Sequence, residues 1–196
     1  MRHLPRIAGC ATSIVIAAAF ATGHAGHLRE PVPAPEWAVS EWLNGDPGSL
    51  ADQRGRVVLI DFFQLWCPGC RRFSIPLFQR WDEKYGDRDD VLILSIHTVF
   101  EGHDQQTPER LREFIETWKI THPVGVDAYE KGDETPTTMR RYRTGGTPHV
   151  VIIDKTGRIV FSHFGSFNET WAESFIDALL AGETVPRKPD RPTRSW

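Results

Sequence analysis

The run Val57-Val58-Leu59-Ile60-Asp61-Phe62-Phe63 restricts the fold more than any other segment. It is β-branched and aromatic, without alternation of apolar and polar positions. That is the pattern of a strand covered on both faces, as at the centre of a parallel sheet. Trp66-Cys67-Pro68-Gly69-Cys70 follows directly, where the strand ends and a helix begins. Two cysteines separated by two residues can close a small disulfide ring or bind a metal. A helix N-terminus presents the positive end of the helix dipole and unpaired N–H groups, which favour thiolate over thiol. The thiolate is the attacking species in thiol–disulfide exchange.

The remaining elements follow from periodicity. Cys70–Tyr85 repeats Phe73, Leu77, Phe78, Trp81 and Tyr85 at helical spacing, and Pro76 inside it predicts a kink. Val91–Ile96 reads as a second buried strand. Thr107-Pro108 supplies an N-cap and a first-turn proline for a helix carrying Leu111, Phe114, Ile115 and Trp118. Pro123–Val126 reads as an added short strand, and one helical turn is expected near Met139–Tyr142. His149–Ile153 and Arg158–Phe161 form a hairpin around Asp154-Lys155-Thr156-Gly157. A last helix places Trp171, Phe175, Ile176 and Leu179 on one face and stops at Gly182. Upstream, Trp37–Leu50 carries turn dipeptides and predicts an irregular lead-in with a small hairpin. This order gives an α/β fold, a mixed central sheet with helices on both faces.

The chain has 196 residues, 40% hydrophobic and 25% charged, with a net charge of -3. That suits one soluble domain and shows no basic excess for nucleic acid. Arg2 and Arg6, the apolar stretch Ile7–Phe20 and small residues up to Ala25 have the layout of a secretory signal. The alternative is an uncleaved anchor, for which the run is short of the ~20 residues a span needs. The resulting division is 1–25 signal peptide, 26–36 Pro-rich linker, 37–182 domain and 183–196 flexible tail. With Cys10 in the signal, Cys67 and Cys70 are the mature cysteines, a working pair and not a structural staple. A zinc site calls for further Cys or His ligands at suitable spacing, and neither a second cysteine pair nor a terminal histidine pair supplies them. No metal or other cofactor is expected.

Taken with Gly146-Thr147-Pro148 and Val150-Ile152-Ile153-Asp154-Lys155-Thr156-Gly157-Arg158-Ile159-Val160, the cysteine motif resembles the thioredoxin superfamily. The helix and short strand inserted before Pro148 resemble its exported TlpA/ResA-like branch, an insertion shared with peroxiredoxins. The resemblance implies a thioredoxin-like fold over roughly residues 37–182. It implies a C-x-x-C thiol–disulfide oxidoreductase, a reductase acting on protein disulfides outside the cytoplasm, with a second thiol protein as electron partner. Cys67 resembles the exposed nucleophile and Cys70 the resolving cysteine, together a redox-active disulfide. Asp61 stands at the buried acid that takes the Cys70 proton. Trp66, Pro68, Gly69, Thr147 and a cis Pro148 are then the substrate-binding positions, and the protein acts as a monomer. His149 either approaches the site or faces core or solvent. Pro68-Gly69 departs from the more usual X-Pro spacer, and no lysine occurs in Val91–His97 beside the acid. A redoxin-type thiol peroxidase and a copper- or metal-handling module using the same cysteines are the alternatives. Against the first, Gln64 occupies the position three before Cys67 where peroxiredoxins have Thr or Ser.

Overall fold

A computed structural model describes residues 31–183. The expected signal peptide, with Cys10, and nearly all of the expected tail lie outside these residues. Among the described residues seven strands form one sheet in the order β1-β7-β6-β3-β4-β5-β2. The strands are β1 (Val32–Pro33), β2 (Val39–Leu43), β3 (Val57–Phe63), β4 (Val91–His97), β5 (Val124–Asp127), β6 (His149–Ile153) and β7 (Arg158–Phe164). The helices are α1 (Ile75–Tyr85), α2 (Pro108–Trp118), α3 (Thr137–Tyr142) and α4 (Glu169–Ala181).

All seven residues of β3 are buried, as its unbroken apolar run requires. It lies parallel to β4 and antiparallel to β6. One face of the sheet carries Val57, Leu59, Val91, Ile93, Val150 and Ile152 against α1 and α4. The other face carries Val58, Ile60, Phe62, Leu92 and Leu94, covered by Trp37, Leu50 and Tyr142. A third apolar cluster, at the C-terminal end of β3, joins Phe63, Cys67 and Cys70 to Leu111, Phe114 and Ile115 of α2. The inserted helix therefore packs against the cysteine end of the sheet.

Three local expectations change. Trp37–Leu50 is not a hairpin: Val39–Leu43 crosses to the sheet edge and pairs antiparallel with β5. Val32–Pro33, inside the expected linker, pairs with β7. Pro76 does not kink a single α-helix. Cys70–Ser74 is a π-helical turn in which Ile75 N–H donates to the Cys70 carbonyl, and Pro76 enters the first turn of α1. The wider turn takes up the proline, whose ring cannot follow a regular α-helical turn.

Candidate active site

Cys67 stands directly before the first helical residues, Pro68 and Gly69, in the N-cap place. Its Sγ accepts the Cys70 N–H at 3.2 Å, and its carbonyl accepts the Arg71 N–H at 3.1 Å. Pro68 is then at the first helical position, where its missing N–H has no intrahelical partner to lose. Gly69 has an ordinary helical φ of -66°. Its role is close approach: a Cβ there would lie 2.8 Å from Pro148 Cδ and 3.9 Å from Cys67 Sγ. The Thr147–Pro148 peptide is cis. Because β6 runs antiparallel to β3, with His149 opposite Phe62, Pro148 reaches the end of β3 from which the cysteines emerge.

Both cysteines are free thiols; Cys67 is 6% exposed and Cys70 fully buried. Trp66, by contrast, is 47% exposed. Beside it opens a groove of about 640 Å³ lined by Leu65, Trp66, Arg71, Arg110, Phe114 and Trp118. The Arg71 guanidinium stands 5.6 Å from the Phe114 ring centre, and its Nε–H donates to the Leu65 carbonyl at 2.7 Å.

The two thiols are driven apart in acidity. A hydrogen bond from Cys70 lowers Cys67 to about 6, helped by the Thr147 side chain and the backbone N–H groups of Cys70 and Gly69, and opposed by burial. Burial pushes the Cys70 thiol far upward, with the bond to Cys67 and the charge of Asp61 adding to it. Asp61 lies fully buried on the α1 face of β3. Burial raises its carboxyl to about 8, the Ser74 hydroxyl lowers it, and the Cys67 charge raises it. Ser74 Oγ–H donates to Asp61 Oδ2 at 2.9 Å. The structure places Asp61, Cys67, Gly69, Cys70, Thr147 and Pro148 against one another, with Pro68 exposed beside Cys67 and Trp66 exposed at the adjoining groove.

Two features were not read from the sequence. Ser74 lies four residues after Cys70 on an otherwise apolar face, and that interruption is the available signal. Gln106, from the segment before α2, accepts the Leu65 N–H at 3.0 Å and meets His97 Nε2 at 3.2 Å. It also donates to Gln64 Oε1 at 3.1 Å and to the Glu101 carbonyl at 2.8 Å. It ties the insertion to the loop ahead of Cys67 through contacts that no spacing reveals. His149 faces core: it shares Phe62's side of the sheet, opposite Asp61, and its Nε2 lies 2.8 Å from Ser162 Oγ. Among the described residues no three His, Cys, Asp or Glu side chains converge to hold a metal.

Residues 32–162 match the AhpC/TSA family. A solved thioredoxin-like superfamily protein superimposes with a TM-score of 0.73 at 40% identity, over 79% of this chain and 99% of its own. A thiol-disulfide isomerase from Corynebacterium glutamicum gives a TM-score of 0.71 at 37% identity, over 76% and 97%. The thiol-disulfide oxidoreductase ResA of Bacillus cereus is 25% identical over 74% of this chain and 76% of its own length. The fold is thioredoxin-like.

Proposed function

The chain belongs to the AhpC/TSA family and is a thioredoxin-like thiol–disulfide oxidoreductase, and from that premise we propose that Cys67 attacks and Cys70 resolves. The observation that carries this reading is the split between the two sulfurs. One sits at a helix N-terminus, accepts the Cys70 N–H and is held below the ordinary thiol range, and the other is buried beside a carboxyl. Cys67 thiolate attacks a disulfide of a protein substrate and expels one substrate sulfur as thiolate. Asp61, once ionised, takes the proton of Cys70. Cys70 sulfur then attacks Cys67 Sγ, and the bond from Cys67 to substrate breaks with its electron pair on the substrate. The products are a reduced substrate and a Cys67–Cys70 disulfide.

Substrate chain meets the exposed Trp66 and Pro68 on one side and Thr147 and Pro148 on the other, with Gly69 keeping that gap narrow. The Cys67 value of about 6 is nearer the ~7 of thioredoxin than the ~3.5 of a strong dithiol oxidant, which supports a reductase. The N-terminal pattern of Arg2, Arg6 and Ile7–Phe20 supports action outside the cytoplasm. Among the described residues no helix is long and apolar enough to cross a membrane.

The test is trapping. Cys70→Ser holds protein partners on Cys67 through reducible disulfides, and Cys67→Ser holds none. Equal trapping by Cys67→Ser, with none by Cys70→Ser, reverses the roles. The low Cys67 value also favours a second reading, a thiol peroxidase. In the position that bears on it, Gln64 is buried and bonded to Gln106. Peroxide consumption by the reduced protein that exceeds the Cys67→Ser background decides for the peroxidase.

A further inference from the structure

Asp61 is fully buried, and it must be ionised before it can take the Cys70 proton. The groups facing it are Cys67, Cys70 and Ser74; the Ser74 hydroxyl is bonded to Oδ2 and is itself buried. Asp61 Oδ1 has no hydrogen-bond partner among the described residues. A second polar cluster, unused by the exchange chemistry, begins at the neighbouring strand. Ser95 of β4 pairs with Asp61 in the parallel register, so both side chains project from the same face. Ser95 Oγ lies 2.8 Å from His122 Nε2. The Ser95 N–H donates to the Pro123 carbonyl at 3.0 Å, which holds His122 in place.

Ser95 and His122 are 3% and 5% exposed, and Phe78 packs 6.2 Å from the imidazole. His122 Nδ1 faces Asp82 Oδ2 at 3.9 Å. The Asp82 side chain is 19% exposed. Its carboxylate also accepts the Thr121 hydroxyl and is held below the usual carboxylate range, first by His122. A buried serine bonded to a buried histidine is costly to desolvate, and packing alone does not require it. The cluster leads from the neighbour of Asp61 to the surface of α1.

We propose that Ser95, His122 and Asp82 form a proton relay that connects Asp61 to solvent. The proposal rests on the oxidoreductase reading and adds the route by which its buried acid is reset. Asp61 and Ser95 share no direct hydrogen bond; cross-strand neighbours stand ~5 Å apart, and the relay requires one water in that gap, bonded to the unpartnered Asp61 Oδ1 and to Ser95 Oγ. The Asp61 proton passes through that water to Ser95 Oγ as the Ser95 proton moves to His122 Nε2. His122 Nδ1 has no hydrogen-bond partner among the described residues, and the partly exposed Asp82 side chain crosses the 3.9 Å gap to take its proton and pass it to water. One proton enters and one leaves; no electrons move. Ser95 and His122 act through Asp61 and are positioning residues, not catalytic ones.

The experiment follows the resolving step after Ellman's reagent has loaded thionitrobenzoate onto Cys67, by release of the second thionitrobenzoate across a pH series. Ser95→Ala is expected to slow that release at least about tenfold at pH ~6.5 and to converge on wild type by pH ~9, where Asp61 is already ionised. Ser95→Thr, which keeps the hydroxyl, stays close to wild type. Asp82→Asn, on a partly exposed side chain, reproduces the low-pH defect should Ser95→Ala fail to fold. An equal slowing at every pH, or none, overturns the relay and leaves the oxidoreductase standing. Release of a single thionitrobenzoate by wild type means that Cys70 does not resolve, and both readings fall.

Discussion

Cys67 owes its acidity to neighbours that substitutions can remove one at a time. The Cys70 hydrogen bond is the largest of them. Cys70→Ala therefore moves the Cys67 midpoint from about 6 toward the ordinary thiol range near ~8.5, read as the pH dependence of iodoacetamide alkylation. An unmoved midpoint assigns the thiolate to the helix terminus alone. Asp61 carries a linkage of opposite sense. Its carboxyl is raised from 3.8 to about 8 in the folded protein. Between those values the unfolded chain binds fewer protons than the folded one, so this residue's contribution is intact at low pH and lost as pH rises through the window. Asp61→Asn is expected to stabilise the reduced protein by on the order of a few kcal/mol near pH ~7.5, with the gain closing below pH ~4. Urea unfolding at the two pH values checks it; a gain independent of pH rules out proton linkage as its source. The cysteines and Asp61 were legible because strand, helix start and motif agree in one short stretch. Ser74, Ser95, His122 and Gln106 were not, since each acquires its partner only when separate elements pack.

The start of the helix and the approach to β6 fit as one unit through Gly69 and Pro148. Gly69→Ala places a methyl where Pro148 Cδ already lies 2.8 Å away. Because both are backbone-anchored, the strand approach must shift. The expected loss is about 1–3 kcal/mol in the reduced protein, measured by denaturant unfolding. An unchanged midpoint shows that the contact yields freely. The spacer that departs from the usual thioredoxin pattern thus has a steric reason that the sequence does not display. Other elements differ in how much of their cause is local. Thr107 and Pro108 announce α2, and the Thr107 side chain does accept the Arg110 N–H. Pro136 precedes α3 without a side-chain cap of its own; Asp127, at the end of β5, accepts the Thr138 and Met139 N–H groups at 2.7 and 2.9 Å. β2 is the extreme case. Its partner β5 lies far along the chain, so neighbouring turn dipeptides suggested a hairpin that the tertiary pairing replaces.

At the scale of the whole molecule, the sheet gathers three remote stretches at one end. β3 delivers the cysteines, antiparallel β6 returns Pro148 to them, and α2 closes the side with Phe114. The order of elements along the chain was legible because the helices show their periodicity and the central strands their unbroken apolar runs; the sheet edges were not, since Val32–Pro33 is too short to carry a pattern. What the assembled site does to electrons is then set by how it holds protons. Reducing the Cys67–Cys70 disulfide takes up two electrons, and also two protons wherever both sulfurs end as thiols. With Cys67 at about 6 and Cys70 far above the ordinary range, one of those protons is no longer taken up above pH ~6. The equilibrium potential is accordingly expected to fall by ~59 mV per pH unit below that point and by ~30 mV above it. Equilibration with a dithiol buffer of known potential, at a series of pH values, measures both the slopes and the break. A single slope of ~59 mV up to pH ~8 means that Cys67 titrates as an ordinary thiol, and the split between the sulfurs fails with it. The absolute value at pH 7 separates the directions of flow: near about −270 mV the pair donates electrons as thioredoxin does, while near about −120 mV it withdraws them. The modest depression of Cys67 places the expectation on the donating side, because only a strongly stabilised thiolate makes the reduced form the deep well that an oxidant requires.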